Sequence, residues 1–158
     1  FQMEEQSGRQ ALALVKPHSV DDLATINSVI RLMAQEKGAE TPLNKFARFH
    51  EDINEWYQEM TDYGLTEEEQ TILKDIIGVS YGICEAQEYL ILLTMHPKIG
   101  GFDLGWADRL RKAVAKKNPK DFEQLEKELK DIDRLTRSLF NFLLKCRQEI
   151  QNNIIYCI

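Results

Sequence analysis

Turn-forming residues are scarce in this chain, with eight glycines and four prolines among 158 residues. An all-β fold of many short strands needs more of both, so that class is disfavoured from the outset. Cysteine is equally sparse. Cys84, Cys146 and Cys157 are odd in number and include no Cys-x-x-Cys pair. That excludes a disulfide framework and suits a reducing cytoplasm. His18, His50 and His96 are scattered, with no second His or Cys at metal-ligand spacing. The run His50-Glu51-Asp52 reads as an exposed polar turn of helix, and no metal site is expected. No apolar stretch approaches the ~20 residues of a membrane span, and the N-terminus carries no signal-peptide pattern. P-loop, Gly-x-Gly-x-x-Gly, Ser/His/Asp and paired-Asp strand motifs are all missing, so the chain shows no catalytic constellation of its own.

What is present suits one globular domain. A chain this long can bury roughly 70% of its unfolded surface, and 43% hydrophobic with 29% charged residues is ordinary for such a fold. A net charge of −6 by itself argues against contact with nucleic acid, but the charge is unevenly spread. Between Lys98 and Lys120 seven Lys/Arg face only Asp103 and Asp108. The local balance is about +5, leaving about −11 elsewhere, and local charge governs contact with phosphate.

Apolar spacing predicts helix nearly everywhere and supports no strand of any length. Ser19 with Asp22 reads as a capping box, followed by Leu23, Ile26, Ile30 and Met33 at helical spacing up to Gly38. Thr41 and Pro42 start a helix whose stripe is Leu43, Phe46, Phe49, Ile53, Trp56 and Met60, ending near Gly64. Thr66 and Glu69 form a second capping box ahead of Ile72, Leu73, Ile76 and Ile77. Residues 87–95 are apolar on most sides and close at Pro97. Asn118-Pro119 separates a basic helix from a last long one, about Lys120 to Asn152, with near-heptad spacing from Phe122 to Ile150. The expectation is an all-α single domain of about six or seven helices ending in that long helix. Packing of the long helix within the bundle is favoured over a dimer seam, which makes the chain a monomer.

The stretch from Gly101, GFDLGWADRLRKAVAKK, concentrates the chemistry. Gly100, Gly101 and Gly105 form a glycine-rich loop that would let backbone N–H groups approach an anion at a helix N-terminus. On the helix that follows, Arg109, Lys112 and Lys116 share one face, Arg111 lies between faces, and Lys117 follows. Trp106, Leu110, Ala113 and Val114 form the opposite, core-facing side. The two open readings are a surface for phosphate or nucleic acid and a solvated basic face.

The wording of this segment resembles the "GYSLGxADxLRRAMGKK" passage in the fingers of bacterial C-family replicative DNA polymerases, the DNA polymerase III alpha-subunit type. Two further blocks occur in the family's order. FQMEEQSGRQALALVKPHSVDDLATINSVIR, Phe1 to Arg31, is similar to "FQxES…LKPTSFEDLxAxxALxRPGP", and YGICEAQEYLILL is similar to "YGIxxYQEQVM", with Tyr81, Gly82, Gln87 and Glu88 in matching places. The resemblance covers residues 1–117 and fades over 118–158. It implies a fingers domain; the opening on Phe1 inside a family motif leads one to expect a piece of a longer polymerase, and divergence from the family wording leads one to expect a phage or mobile-element origin. Such a domain positions the incoming deoxynucleoside triphosphate and the template for DNA synthesis, a nucleotidyltransferase reaction. The phosphate-binding residues it implies are Arg109, Arg111, Lys112, Lys116 and Lys117. Arg31 has either a place near the nucleotide or an ordinary one on an exposed helix. Gln87 and Glu88, placed inside an apolar helix, are either active-site contacts or a polar pair that fixes packing. The metal-binding aspartates belong to the palm upstream, so the resemblance implies no cofactor in this fragment and magnesium in the parent. Primer-template DNA, the nucleotide and the palm are the implied partners, the cytoplasm is the implied location, and no membrane is involved.

Departures from the family wording qualify that reading. Arg31 is followed by Leu32, Met33 and Ala34 instead of Pro-Gly-Pro, which predicts that the helix runs on. Lys112 replaces the second Arg of the pair and substitutes a point charge for a planar fork. A degenerate polymerase relative that serves as a helical interaction module is the alternative.

Overall fold

A computed structural model describes residues 2–31, 38, 40–116 and 119–130. Every regular element among them is helical. A 3-10 turn at Gln2–Glu4 leads into α1 (Gln6–Val15), α2 (Val20–Val29), α3 (Pro42–Glu51), α4 (Ile53–Asp62) and α5 (Glu67–Ile77). After a second 3-10 turn at Gly78–Ser80 come α6 (Gln87–Met95), α7 (Leu104–Lys116) and α8 (Pro119–Lys130). The all-α expectation holds, and the described helices number eight rather than six or seven. The expected continuation to Asn152 lies outside the described residues.

The caps read from the sequence form as expected. Ser19 accepts the Asp22 N–H at 3.0 Å while the Asp22 carboxylate takes the Ser19 N–H at 3.1 Å. Thr66 and Glu69 make the same reciprocal pair ahead of α5. Thr41 accepts the Asn44 N–H at 3.2 Å, with Pro42 at the first helical position of α3.

Two boundaries differ from the expectation. The helix foreseen from Pro42 to Gly64 breaks at Asp52, which has extended backbone and caps α4 by accepting the Asn54 N–H at 3.0 Å. Aspartate gains more as an N-cap than inside a helix, so the uninterrupted apolar spacing yields to it and Ile53 is left exposed. The helix foreseen past Arg31 ends at Val29. A further α-helical turn would need the Arg31 N–H on the Asn27 carbonyl. Instead the Arg31 Nε donates to that oxygen at 3.2 Å, and the Arg31 N–H turns to Ser28 O at 3.4 Å.

Two apolar clusters hold the bundle. The smaller joins Ala11 and Val15 of α1, Ile26 and Val29 of α2, Phe46 of α3 and Ile83. The larger centres on Phe49, Trp56, Met60, Leu73, Ile77, Leu90, Leu93, Trp106, Leu110 and Leu125. Burying each such side chain contributes roughly 1.5–3 kcal/mol. Adjacent turns of α3 feed both clusters, through Phe46 and Phe49. Tyr81, in left-handed backbone conformation at φ 49°, packs against both. Gly82 follows at φ +76°, where an added Cβ would stand 2.2 Å from the Trp56 Nε1. The glycine is therefore a seat for the indole.

Candidate nucleic-acid interface

The loop between α6 and α7 uses its amides on the fold itself. The N–H groups of Ile99 and Gly101 both donate to His96 O at 2.9 Å, and that of Phe102 donates to Thr94 O at 3.2 Å. These are carbonyls at the end of α6 that would otherwise lack partners. Gly100 is glycine because a Cβ there would lie 2.2 Å from Thr94 O. The start of α7 is capped from within, the Trp106 N–H donating to Asp103 Oδ1 at 2.7 Å. A carboxylate of the chain thus occupies the place at the helix N-terminus that an anion would take. Of the amides in this glycine-rich loop, those of Ile99, Gly101, Phe102 and Trp106 therefore have acceptors within the chain and are not offered to an outside anion.

The basic face does form. Trp106, Ala107, Leu110 and Ala113 are buried, and Phe102 stacks on Trp106 at 3.6 Å between ring centroids. That anchorage turns Arg109 and Lys112 outward, with side chains 56% and 58% exposed, and leaves Arg111 half-buried. Each cation has an acidic partner. Asp108 bridges Arg111 at 2.7 Å and Lys112 at 2.6 Å. Glu128 of α8 meets Arg109 at 3.3 Å and accepts the Trp106 indole N–H at 2.5 Å. Lys112 first, then Arg111, holds the Asp108 carboxyl below the usual carboxylate range. The Trp106 hydrogen bond, ahead of Gln124 and Arg109, does the same for Glu128. Between α7 and α8 lies a hollow of about 320 Å³ lined by Arg109, Lys112, Ala113, Asp121, Gln124 and Leu125.

The remaining candidates are dispersed. Gln87 opens α6 and accepts from Arg111 Nη1 at 3.4 Å, so it joins the α7 face. Glu88 is exposed in the first turn of α6. The pair therefore sits at a helix start, where acids are favoured, rather than inside an apolar helix. Arg31 lies half-buried after α2, beside Val29 and Ile30 of the smaller cluster. Lys116 belongs to α7, but its side chain, like all of Lys117, lies outside the described residues.

A family model for the bacterial DNA polymerase III alpha subunit finger domain matches residues 1–133. The chain belongs to that finger-domain family. The match extends past Lys117 into α8, further than the motifs legible in the sequence. The finger domain is 32% identical over 152 residues to the probable DNA polymerase YorL of Bacillus subtilis, and equally so to the DNA-directed DNA polymerase of Bacillus phage SPbeta. In both cases 92% of this chain and 12% of the relative are covered. The DNA polymerase III subunit alpha of Ureaplasma parvum is 27% identical over 126 residues, which is 80% of this chain and 11% of that protein. The finger domain therefore spans about a tenth of the length of these curated relatives, and it is a divergent, phage-like member. No solved structure matches it significantly.

One grouping in the finger domain was hidden from sequence spacing. The fold gathers His18, Asp22 and His50 so that one ligand atom of each lies within 4.8 Å of the others. His50 Nε2 stands 3.2 Å from Asp22 Oδ2, and the two imidazoles have centroids 5.1 Å apart. Burial acts to raise the Asp22 pKa. Hydrogen bonds from the His18 backbone, His50 and Ser19 outweigh it and leave that carboxyl below its ordinary value. His18 and His50 are 32 positions apart in sequence on different elements, so only the packing of α2 on α3 reveals the group. Two imidazoles and one carboxylate do not suit magnesium, which takes oxygen ligands. Magnesium chemistry thus has no seat in this group.

Proposed function

We propose that this finger domain works within a longer C-family DNA polymerase in the cytoplasm, positioning the incoming deoxynucleoside triphosphate and the template for DNA synthesis. The observation that carries the reading is the anchored α7, whose buried Trp106, Leu110 and Ala113 hold Arg109, Arg111 and Lys112 at the surface of a family member. Phosphoryl transfer depends on positioning and charge stabilisation, so cations held on a rigid helix can serve it without holding a metal. Arg109, Arg111 and Lys112 meet phosphates by exchanging Asp108 and Glu128 for phosphate oxygens. Lys116, Lys117 and Arg31 extend the same role. The palm supplies the aspartates and magnesium.

The parent polymerase is expected to extend primers and to lose extension when Arg111 and Lys112 are replaced by Gln. The isolated chain should not polymerise. It should bind primer-template DNA without sequence preference, at roughly micromolar affinity or weaker at physiological salt. Unimpaired extension by the parent carrying both substitutions would remove the assigned role. Absence of DNA binding by the isolated chain even at low salt would favour the interaction-module reading, which the acidic partner on each of these three cations supports.

A further inference from the structure

We propose that His18, Asp22 and His50 bind a single zinc ion, which ties the α1–α2 linker and the first turn of α2 to the last turn of α3. The proposal does not rest on the polymerase reading. It concerns this chain in particular, since the family wording has Thr where His18 stands.

The geometry is close to a finished site. Zinc bonds to imidazole nitrogen and carboxylate oxygen of about 2.0–2.2 Å place neighbouring ligands of a tetrahedron roughly 3.3 Å apart. The Asp22–His50 separation of 3.2 Å already matches that edge. Both side chains are more than nine-tenths buried, at 9% and 7% exposure, so their positions are set by packing. The Asp22 carboxylate is further oriented by N–H groups of His18 at 2.8 Å and Ser19 at 3.1 Å, the kind of outer support that fixes metal ligands. Only His18 has to close in. It is exposed, its ring is tilted against that of His50, and its ligand atom lies within 4.8 Å of the other two, so it is the ligand that moves. His18 and His50 both line a surface hollow of about 580 Å³, which supplies an entry path and a fourth position for water. Lys16 and Arg48 in its wall are balanced by Glu40 and Glu51. Two imidazoles with one carboxylate favour zinc among the abundant divalent ions, because hard cations prefer all-oxygen sites.

A plain hydrogen bond between His50 and Asp22, with the His18 ring tilted against His50, is the competing account, and it makes no use of zinc. Calorimetric titration of the chelator-treated 158-residue chain with zinc decides between them, with far-UV circular dichroism on the same samples. One equivalent should bind and raise the melting temperature. His18→Ala should weaken binding roughly tenfold or more, while the melting temperature without zinc stays unchanged, since that side chain is exposed. His18→Cys should restore binding, a thiolate being a competent zinc ligand. Cobalt(II) in place of zinc should give the visible bands of a four-coordinate ion without a sulfur charge-transfer band in the wild type. No zinc binding, equal binding by His18→Ala, or a sulfur band from cysteine in the wild type would each overturn the proposal.

Discussion

At the scale of single residues, Glu85 and Gly82 show what a position can hide. Glu85 accepts from the Thr25 hydroxyl at 3.4 Å in a largely buried place. Burial pushes its carboxyl up to about 7 from an ordinary 4.5, against the opposing hydrogen bonds of Thr25 and Ser28. The folded state therefore holds this proton more tightly than the unfolded chain does. The stability linked to it is complete below about pH 4.5 and is lost as pH rises through about 7, a swing of about 3 kcal/mol. Urea unfolding followed from pH 4.5 to 8 should show that decline in the wild type and a flatter profile in Glu85→Gln. Parallel profiles would exclude the linkage. Gly82→Ala should destabilise by more than ~2 kcal/mol, because the left-handed backbone and the Trp56 indole both oppose a side chain. A chemical denaturation midpoint within error of the wild type would contradict that. The sequence marks Gly82 as a residue that matches the family wording. It cannot say that Trp56, 26 positions earlier, is the reason, because that contact exists only after α4 has packed.

Whole elements were more legible where local chemistry decides them. Ser19, Thr41 and Thr66 announce α2, α3 and α5, since a cap and its partner lie within three residues. The break at Asp52 was legible in principle, yet continuous apolar spacing on both sides argued for one helix. On α7 the outward cations follow from 3.6-residue periodicity, whereas the internal acceptors of the glycine loop depend on how the end of α6 meets it. Asp103→Ala should cost about 1 kcal/mol, the ordinary worth of an N-cap, read as a lower melting temperature. Under the polymerase reading, Asp108→Asn should strengthen DNA binding by fluorescence anisotropy, since it releases Arg111 and Lys112 together. Unchanged or weaker binding would show that the pairing does not compete with phosphate.

Across the whole molecule, α8 completes the setting of Trp106 by burying Leu125 and by accepting the indole N–H on Glu128. A chain ending at residue 118, in a Trp56→Phe background, should show Trp106 fluorescence shifted to longer wavelength as water reaches the ring. An unshifted spectrum would mean that α8 does not shield it. The pairing of Asp108 and Glu128 with the α7 cations has a further consequence for the salt response of DNA binding. The two acids behave as counterions fixed to the protein, unable to diffuse away when a phosphate arrives. Added salt screens these internal pairs as well as the external ones, so it loosens the competitor while it weakens the ligand. The slope of log affinity against log salt should then fall short of −0.9 per phosphate contact, and it should steepen toward that limit when Asp108 and Glu128 are made neutral.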